Sequence, residues 1–141
     1  MLEKEAIQEN GFGNISQNGR ITGFRVGYRS TYYRGIWLSM SLGFDVKVDG
    51  EKFSRDQVTV TIGGKTYTQE EMKKITDVQW PISEAAILNV TKPGGLKPGP
   101  HDVEISWGHR ASYMPPVVPG GRVMGMMGGS VPLQRKIVLV D

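Results

Sequence analysis

Two histidines, a scatter of carboxylates and a run of arginines interleaved with tyrosines are the residues of this 141-residue chain best suited to chemistry. A hydrolase triad needs a nucleophile, a base and an orienting acid in contact. Only His101 and His109 offer an imidazole, and no Gly-x-Ser-x-Gly elbow accompanies them. Asp45, Asp49, Glu51, Asp56, Glu70, Glu71, Asp77 and Glu84 fall mostly at turns or on polar strand faces, where carboxylates are usually just solvated. Their scatter defines no glycosidase acid pair. A metal wants clustered His, Asp or Glu, and His101, Asp102 and His109 alone could begin such a cluster. His101 follows Pro98-Gly99-Pro100, where turn placement or a cap-like hydrogen bond is the ordinary reading. Neither GMMGGS nor NGFGNIS follows a strand as a phosphate loop would, and neither has the P-loop lysine. The chain is expected to hold neither a catalytic residue nor a metal of its own.

Residues suited to binding are more plentiful. Arg25, Tyr28, Arg29, Tyr32, Tyr33 and Arg34 lie within eleven positions ending at Gly35. Arginine forks and flat rings suit an interface hot spot, a sugar or stacked bases. Equally, Arg25 and Arg29 could line the polar face of a strand, with Tyr28 and Tyr33 partly in the core. Trp37, Trp80 and Trp107 read more naturally as core or half-buried packing than as a ligand platform. The segment Gly108–Pro132 carries six glycines, four prolines and four of the seven methionines, and no acidic residue. That density of Gly and Pro excludes a continuous helix or a central strand. Its many apolar side chains argue against disorder, and loops this long are usually functional. It folds back over its own core or docks on a partner. Tyr113, Met114, Met124, Met126 and Met127 would supply the adaptable contacts of the second reading, with Arg122 adding positive charge.

Strands must position these groups. Ile36, Leu38, Met40, Leu42, Phe44, Val46 and Val48 occupy every even position of one segment, so it buries one face as a very long strand, with a bend or bulge expected near Gly43. Trp37 stands on the polar row. Asp49-Gly50 ends the strand in a hairpin turn. Val58, Val60 and Ile62 alternate with threonines, and Gly63-Gly64 turns the chain into Lys65-Thr66-Tyr67. Thr68 and Glu71 have capping-box spacing and open a short helix over Gln69–Ile75. Strands follow over Ala85–Val90, Asp102–Trp107 and Leu133–Val140, with Ile21–Tyr28 upstream and an edge strand from residues 2–17. Seven or so short strands, frequent turns and one helical turn predict an all-β fold. The expected form is an antiparallel β-sandwich in a single domain over 1–141, with the long Gly/Pro/Met-rich loop 108–132 near the C-terminus.

Composition narrows the setting. The chain has no cysteine, which excludes disulfides and fits a reducing cytoplasm. MLEKEAIQEN is no signal peptide, and no apolar run approaches the roughly 20 residues that span a membrane. A formal charge of +3 is too mild to argue for nucleic acid unless it is clustered.

YYRGIWLSMSLGFDVKVDGEKF, then VTIGGKTYTQEEM, TDVQWPI and KPGGLKPGPHDVEISWGHRASYMP resemble, in order and spacing, the small (beta) subunit of the bacterial C-glycoside deglycosidases. The similarity covers roughly Gly23 to Val140. Its motifs are structural: a tyrosine pair before Arg-Gly, a VDG turn, the helix entry, a Gly-x-His turn and a Ser-Tyr-Met-Pro. The resemblance implies a hetero-oligomer in which a large subunit, similar to sugar-phosphate isomerase barrels, holds a divalent metal, manganese, and the acid–base residues. The implied substrate is a C-glucoside already oxidised to a 3-keto sugar. The keto group acidifies the neighbouring C–H, so that a base and a metal-stabilised enolate expel an aromatic, flavonoid-type aglycone by elimination. On this reading the small subunit is an accessory, non-catalytic part of a carbon–carbon lyase. Tyr32, Tyr33, Arg34, Trp37, Tyr113, Met114, Arg122, Met124, Met126 and Met127 are its expected partner-binding residues. Two other classes compete: a free-standing carbohydrate-binding module using the tyrosines and tryptophans, and a single-strand nucleic-acid binder using the Arg–Tyr segment.

Overall fold

The computed structural model describes residues 3–30, 36–81, 83–109 and 133–139. Its strands are β1 (Ile7–Gln17), β2 (Arg20–Tyr28), β3 (Ile36–Trp37), β4 (Ser41–Val48), β5 (Glu51–Phe53), β6 (Val58–Ile62), β7 (Lys65–Thr68), β8 (Gln79–Trp80), β9 (Ala86–Thr91), β10 (Gly99–His109) and β11 (Leu133–Leu139). One helix, α1 (Gln69–Met72), lies between β7 and β8. A five-stranded sheet runs β1-β2-β9-β6-β7, a four-stranded sheet runs β11-β10-β4-β5, and β3-β8 form a small ribbon. All pairings are antiparallel. The expected all-β sandwich is the observed architecture.

Period-two patterning builds the core. Phe24, Val26 and Tyr28 of β2, Val58, Val60 and Ile62 of β6, and Ala86, Leu88 and Val90 of β9 are buried. Facing them are Phe44, Val46 and Val48 of β4 with Val103, Ile105 and Trp107 of β10. Edge-to-face rings join the two layers: Phe24 on Phe53 at 5.5 Å and Tyr28 on Phe44 at 5.6 Å. Along one side the layers are closed by charge. Arg135 of β11 donates to Glu3 Oε1 and to the Ile7 carbonyl, both at 2.7 Å, and Glu9 Oε2 accepts the Val138 N–H at 3.0 Å. Side chains of the β1 region thus cover an edge of β11 that would otherwise offer an unpaired strand to another chain.

The turns follow the sequence closely. Asp49 and Gly50 take φ of 50° and 87°, and Gly63 and Gly64 take 62° and 80°, the left-handed pair that a two-residue hairpin requires. The capping box at Thr68 is complete, with Thr68 Oγ1 accepting the Glu71 N–H at 3.1 Å and Glu71 Oε1 accepting the Thr68 N–H at 2.8 Å.

Three expected boundaries differ. The helix ends at Met72 instead of Ile75, because Lys74 and Ile75 donate three residues back, to Glu71 and Met72. The strand before the long segment begins at Gly99 instead of Asp102, because the Pro98-Gly99-Pro100 turn is drawn into pairing with β11. Ile36–Val48 is not one long strand. A 3-10 turn over Leu38–Met40 divides it, where Leu38 N–H bonds to Val78 O and Ser39 N–H to Ile75 O, both at 2.9 Å. The expected irregularity near Gly43 is present as well: Gly43 has φ of 110°, and the β4–β10 register slips there.

Candidate partner interface

The tryptophans divide. Trp80 and Trp107 lie in the core with their rings 5.0 Å apart, Phe44 stacks on Trp107 at 5.9 Å, and Tyr28 meets Trp107 edge-on at 6.0 Å. Each indole N–H has a partner: Trp107 Nε1 donates to Ser41 Oγ at 3.0 Å and Trp80 Nε1 to the Glu84 carbonyl at 2.6 Å. Trp37 keeps 36% of its surface exposed. It sits on β3 opposite Gln79, one residue from the Ile36–Trp80 pair.

This aromatic cluster marks one end of the sandwich, and the long-range topology brings two distant parts of the sequence to it. The chain leaves the described framework at Ser30, two residues past Tyr28, and returns at Ile36, the partner of Trp80. It leaves again at His109, two residues past Trp107 and opposite Ser41. It returns at Leu133, which pairs with Ile105 of the same strand and is itself partly exposed. Of the expected partner-binding residues, Trp37 is therefore placed at the same end of the sandwich as both departures. Tyr32, Tyr33, Arg34, Tyr113, Met114, Arg122, Met124, Met126 and Met127 lie outside the described residues, as does most of the 108–132 loop.

The rest of the Arg–Tyr segment is turned to structural use. Tyr28 is buried, Arg25 donates to the Asn14 carbonyl at 3.2 Å, and Arg29 donates to the carbonyls of Glu3 and Lys4, both at 3.3 Å. A stacking platform for single-stranded bases loses Tyr28 by this placement. The outer faces of the two sheets differ in kind. Asp45, Lys47, Lys52, Asp102, Glu104 and Lys136 mix both signs over the four-stranded sheet, whereas Thr59, Thr61, Ile87 and Asn89 stand on β6 and β9 of the five-stranded one, with Thr66 on its edge strand β7.

The candidate chemical groups have structural partners. His101 is buried, with Asp49 Oδ2 and the Lys97 carbonyl each 2.6 Å from one of its ring nitrogens. This is the turn-anchoring role expected of it. Asp45 is held by Arg55 through two contacts of 3.0 Å, whose hydrogen bonds lower the carboxyl below its ordinary range. Glu51 pairs with Lys92 at 2.9 Å. Among the described residues, no three His, Asp or Glu side chains come together as a metal site requires.

Three amide side chains were not legible as structural elements. Gln8 bonds to the backbone of Glu3 and Glu5, Asn14 to both backbone groups of Leu96, and Gln69 to both backbone groups of Phe44. Nothing in the local pattern distinguishes them from surface amides.

This sandwich, with its VDG hairpin, capped helix and histidine-anchored turn, matches the C-glycoside deglycosidase beta subunit family over residues 2–113. The chain belongs to that family. It is also 42% identical over 121 residues to the C-glycoside deglycosidase beta subunit of Eubacterium cellulosolvens, covering 85% of this chain and 82% of that protein. A beta subunit has a partner subunit. Among the described residues, no helix is long and apolar enough to cross a membrane.

Proposed function

We propose that this chain is the accessory, non-catalytic subunit of a hetero-oligomeric carbon–carbon lyase that cleaves 3-keto C-glucosides of flavonoid-type aglycones in the cytoplasm. Its partner is a large, sugar-isomerase-like barrel subunit that carries the acid–base residues and a divalent metal, manganese. Among the described residues, no three His, Asp or Glu side chains come together to hold such a metal, and His101 has both ring nitrogens in hydrogen bonds. The reaction itself is an elimination. A base removes the proton made acidic by the neighbouring keto group, the electron pair forms the new double bond of the sugar, and the aglycone leaves with the electrons of the broken C–C bond and gains a proton.

The observation that carries the reading is the exposed Trp37, at the same end of the sandwich as the two points where the Arg–Tyr and Gly/Pro/Met segments depart. An exposed tryptophan at such a place is a typical interface anchor. We extend the interface to Tyr32, Tyr33, Arg34, Tyr113, Met114, Arg122, Met124, Met126 and Met127 on the same grounds.

Two results are expected. The purified chain alone should not cleave a 3-keto C-glucoside, and activity should appear when the large subunit is added. Turnover by the chain alone would overturn the accessory role. Trp37→Ala should weaken the two-subunit complex by about 30-fold, the effect of losing an anchor worth about 2 kcal/mol. It should leave the thermal midpoint of the isolated chain nearly unchanged. A chain that unfolds on that substitution would make Trp37 a core residue.

A further inference from the structure

His101 faces a protonation problem that only one of its forms solves. Its Nδ1 lies 2.6 Å from Asp49 Oδ2 and its Nε2 lies 2.6 Å from the Lys97 carbonyl. Both oxygens only accept, given an ionised Asp49. A neutral imidazole has one N–H and can serve one of them; an imidazolium serves both. The ring is 9% exposed and points between the sheets, where Phe12 of β1 meets it edge-on at 6.2 Å. Water is poorly placed to reach the ring, although the Asp49 carboxylate is half exposed.

The two turns that meet at this ring depend on each other. Asp49 Oδ1 accepts the Asp102 N–H at 2.8 Å, and the Asp49 N–H donates to the Asp102 carbonyl at 2.9 Å. Asp49 itself holds a φ of 50°, which a non-glycine residue adopts at a cost. The other charges nearby are Lys47 of β4, Asp102 and Glu104 of β10, and Lys136 of β11, whose Nζ is 3.8 Å from Asp102 Oδ1.

We propose that His101 and Asp49 form a charged latch that closes the end of the sandwich opposite Trp37, and that loss of the His101 proton unfastens the Lys97–Asp102 turn from the Asp49-Gly50 hairpin. Burial by itself would favour the neutral ring, but the Lys97 carbonyl and the bond and charge of Asp49 outweigh it and raise the imidazole above its ordinary 6.5. The hydrogen bond from His101 holds the Asp49 carboxyl below its ordinary 3.8. The sign follows from both shifts. The histidine's contribution is complete below 6.5 and is lost as pH rises through its folded value; the aspartate's is complete above 3.8 and is lost as pH falls through its own. The latch is therefore complete between those two ordinary values, and it is lost above the folded value of the histidine and below that of the aspartate.

Nitrogen NMR of the full chain tests this directly. At pH 6, below the ordinary histidine value, both ring nitrogens of His101 should carry protons, with the other histidine's signals identified by their loss in His109→Gln. Hydrogen-exchange protection of the Asp49 and Asp102 amides should fall by about tenfold or more as the ring deprotonates, matching the loss of a charge-assisted hydrogen bond. In Asp49→Asn the ring should lose its proton at lower pH than in the wild type. A single neutral tautomer at pH 6, or amide protection that does not change while the ring titrates, would overturn the latch. The ring measurement is made on the unaltered protein, so it decides the question even where a variant does not fold.

Discussion

Replacing Gln69 by leucine is expected to destabilise the chain by about 2–5 kcal/mol, although Gln69 belongs to a four-residue helix and would pass for a surface amide. Its side chain is 8% exposed and does the work of a strand. Gln69 Oε1 accepts the Phe44 N–H at 2.7 Å and Nε2 donates to the Phe44 carbonyl at 3.2 Å. β5 pairs with β4 only from Val46 to Val48, so the amide takes up the backbone groups of Phe44 beyond the end of that pairing. Leucine would leave a buried donor and a buried acceptor without partners, each costing about 1–3 kcal/mol.

Glutamate at the same position gives a sharper signature. Its carboxylate still accepts from the Phe44 N–H but turns a lone pair toward the Phe44 carbonyl, whereas the protonated carboxyl can donate there. The Arg55 guanidinium lies close to the position of Gln69 Oε1 and favours the carboxylate, opposing the Phe44 carbonyl, which favours the protonated form. The stability of Gln69→Glu should therefore differ from wild type in its pH dependence through the carboxyl range, and Gln69→Leu should show no such difference. Urea unfolding at several pH values, read as differences from the wild type, checks both. A loss of less than about 1 kcal/mol for the leucine variant would mean that water replaces the amide.

Gln69 also shows where sequence reasoning stops. Alternation located the strands because every second side chain enters one core, and the left-handed turns were legible because Asp-Gly and Gly-Gly tolerate positive φ. The segment Ile36–Val48 kept much of its buried alternation yet misled on backbone form. Ile36, Leu38, Phe44, Val46 and Val48 are buried as expected, but the backbone at Leu38 and Ser39 bonds to residues 75–78, distant in sequence, and closes a 3-10 turn. Periodicity reports which side chains face inward. It does not report which backbone groups pair, and that pairing is set by long-range contacts. The amides Asn14 and Gln69 were invisible for the same reason, since each acts as a piece of backbone for a segment elsewhere, and Gln8 does so for the backbone of Glu3 and Glu5 just before it. His101 was partly legible: its place after Pro98-Gly99-Pro100 suggested a turn anchor, whereas its second acceptor required the fold. Of the candidate interface, Trp37 was legible because it interrupts a row of small and polar residues. Its place at the same end as both departing segments comes from the β2, β3 and β10 topology.

Trp107→Ala is the substitution expected to do most damage, about 3–5 kcal/mol, which is a large share of the stability of a domain this size. The ring contacts Phe44, Tyr28 and Trp80 from three other strands, and its Nε1 holds the buried Ser41 hydroxyl. Truncation leaves a cavity between the sheets and takes a hydrogen-bond donor from Ser41. Trp107→Phe keeps most of the packing and loses the donor, so it should cost less, about 1–3 kcal/mol. Urea or thermal unfolding of the two variants gives the order. Trp37 supplies the contrast, because it lies at the same end of the sandwich but exposed. If the aromatic cluster is a support and Trp37 a contact, Trp107→Phe should lower stability while leaving affinity for the partner nearly intact once the chain is folded, and Trp37→Ala should do the reverse. Equal losses of stability from Trp37→Ala and Trp107→Ala would erase that distinction. They would move the candidate interface away from this end of the molecule.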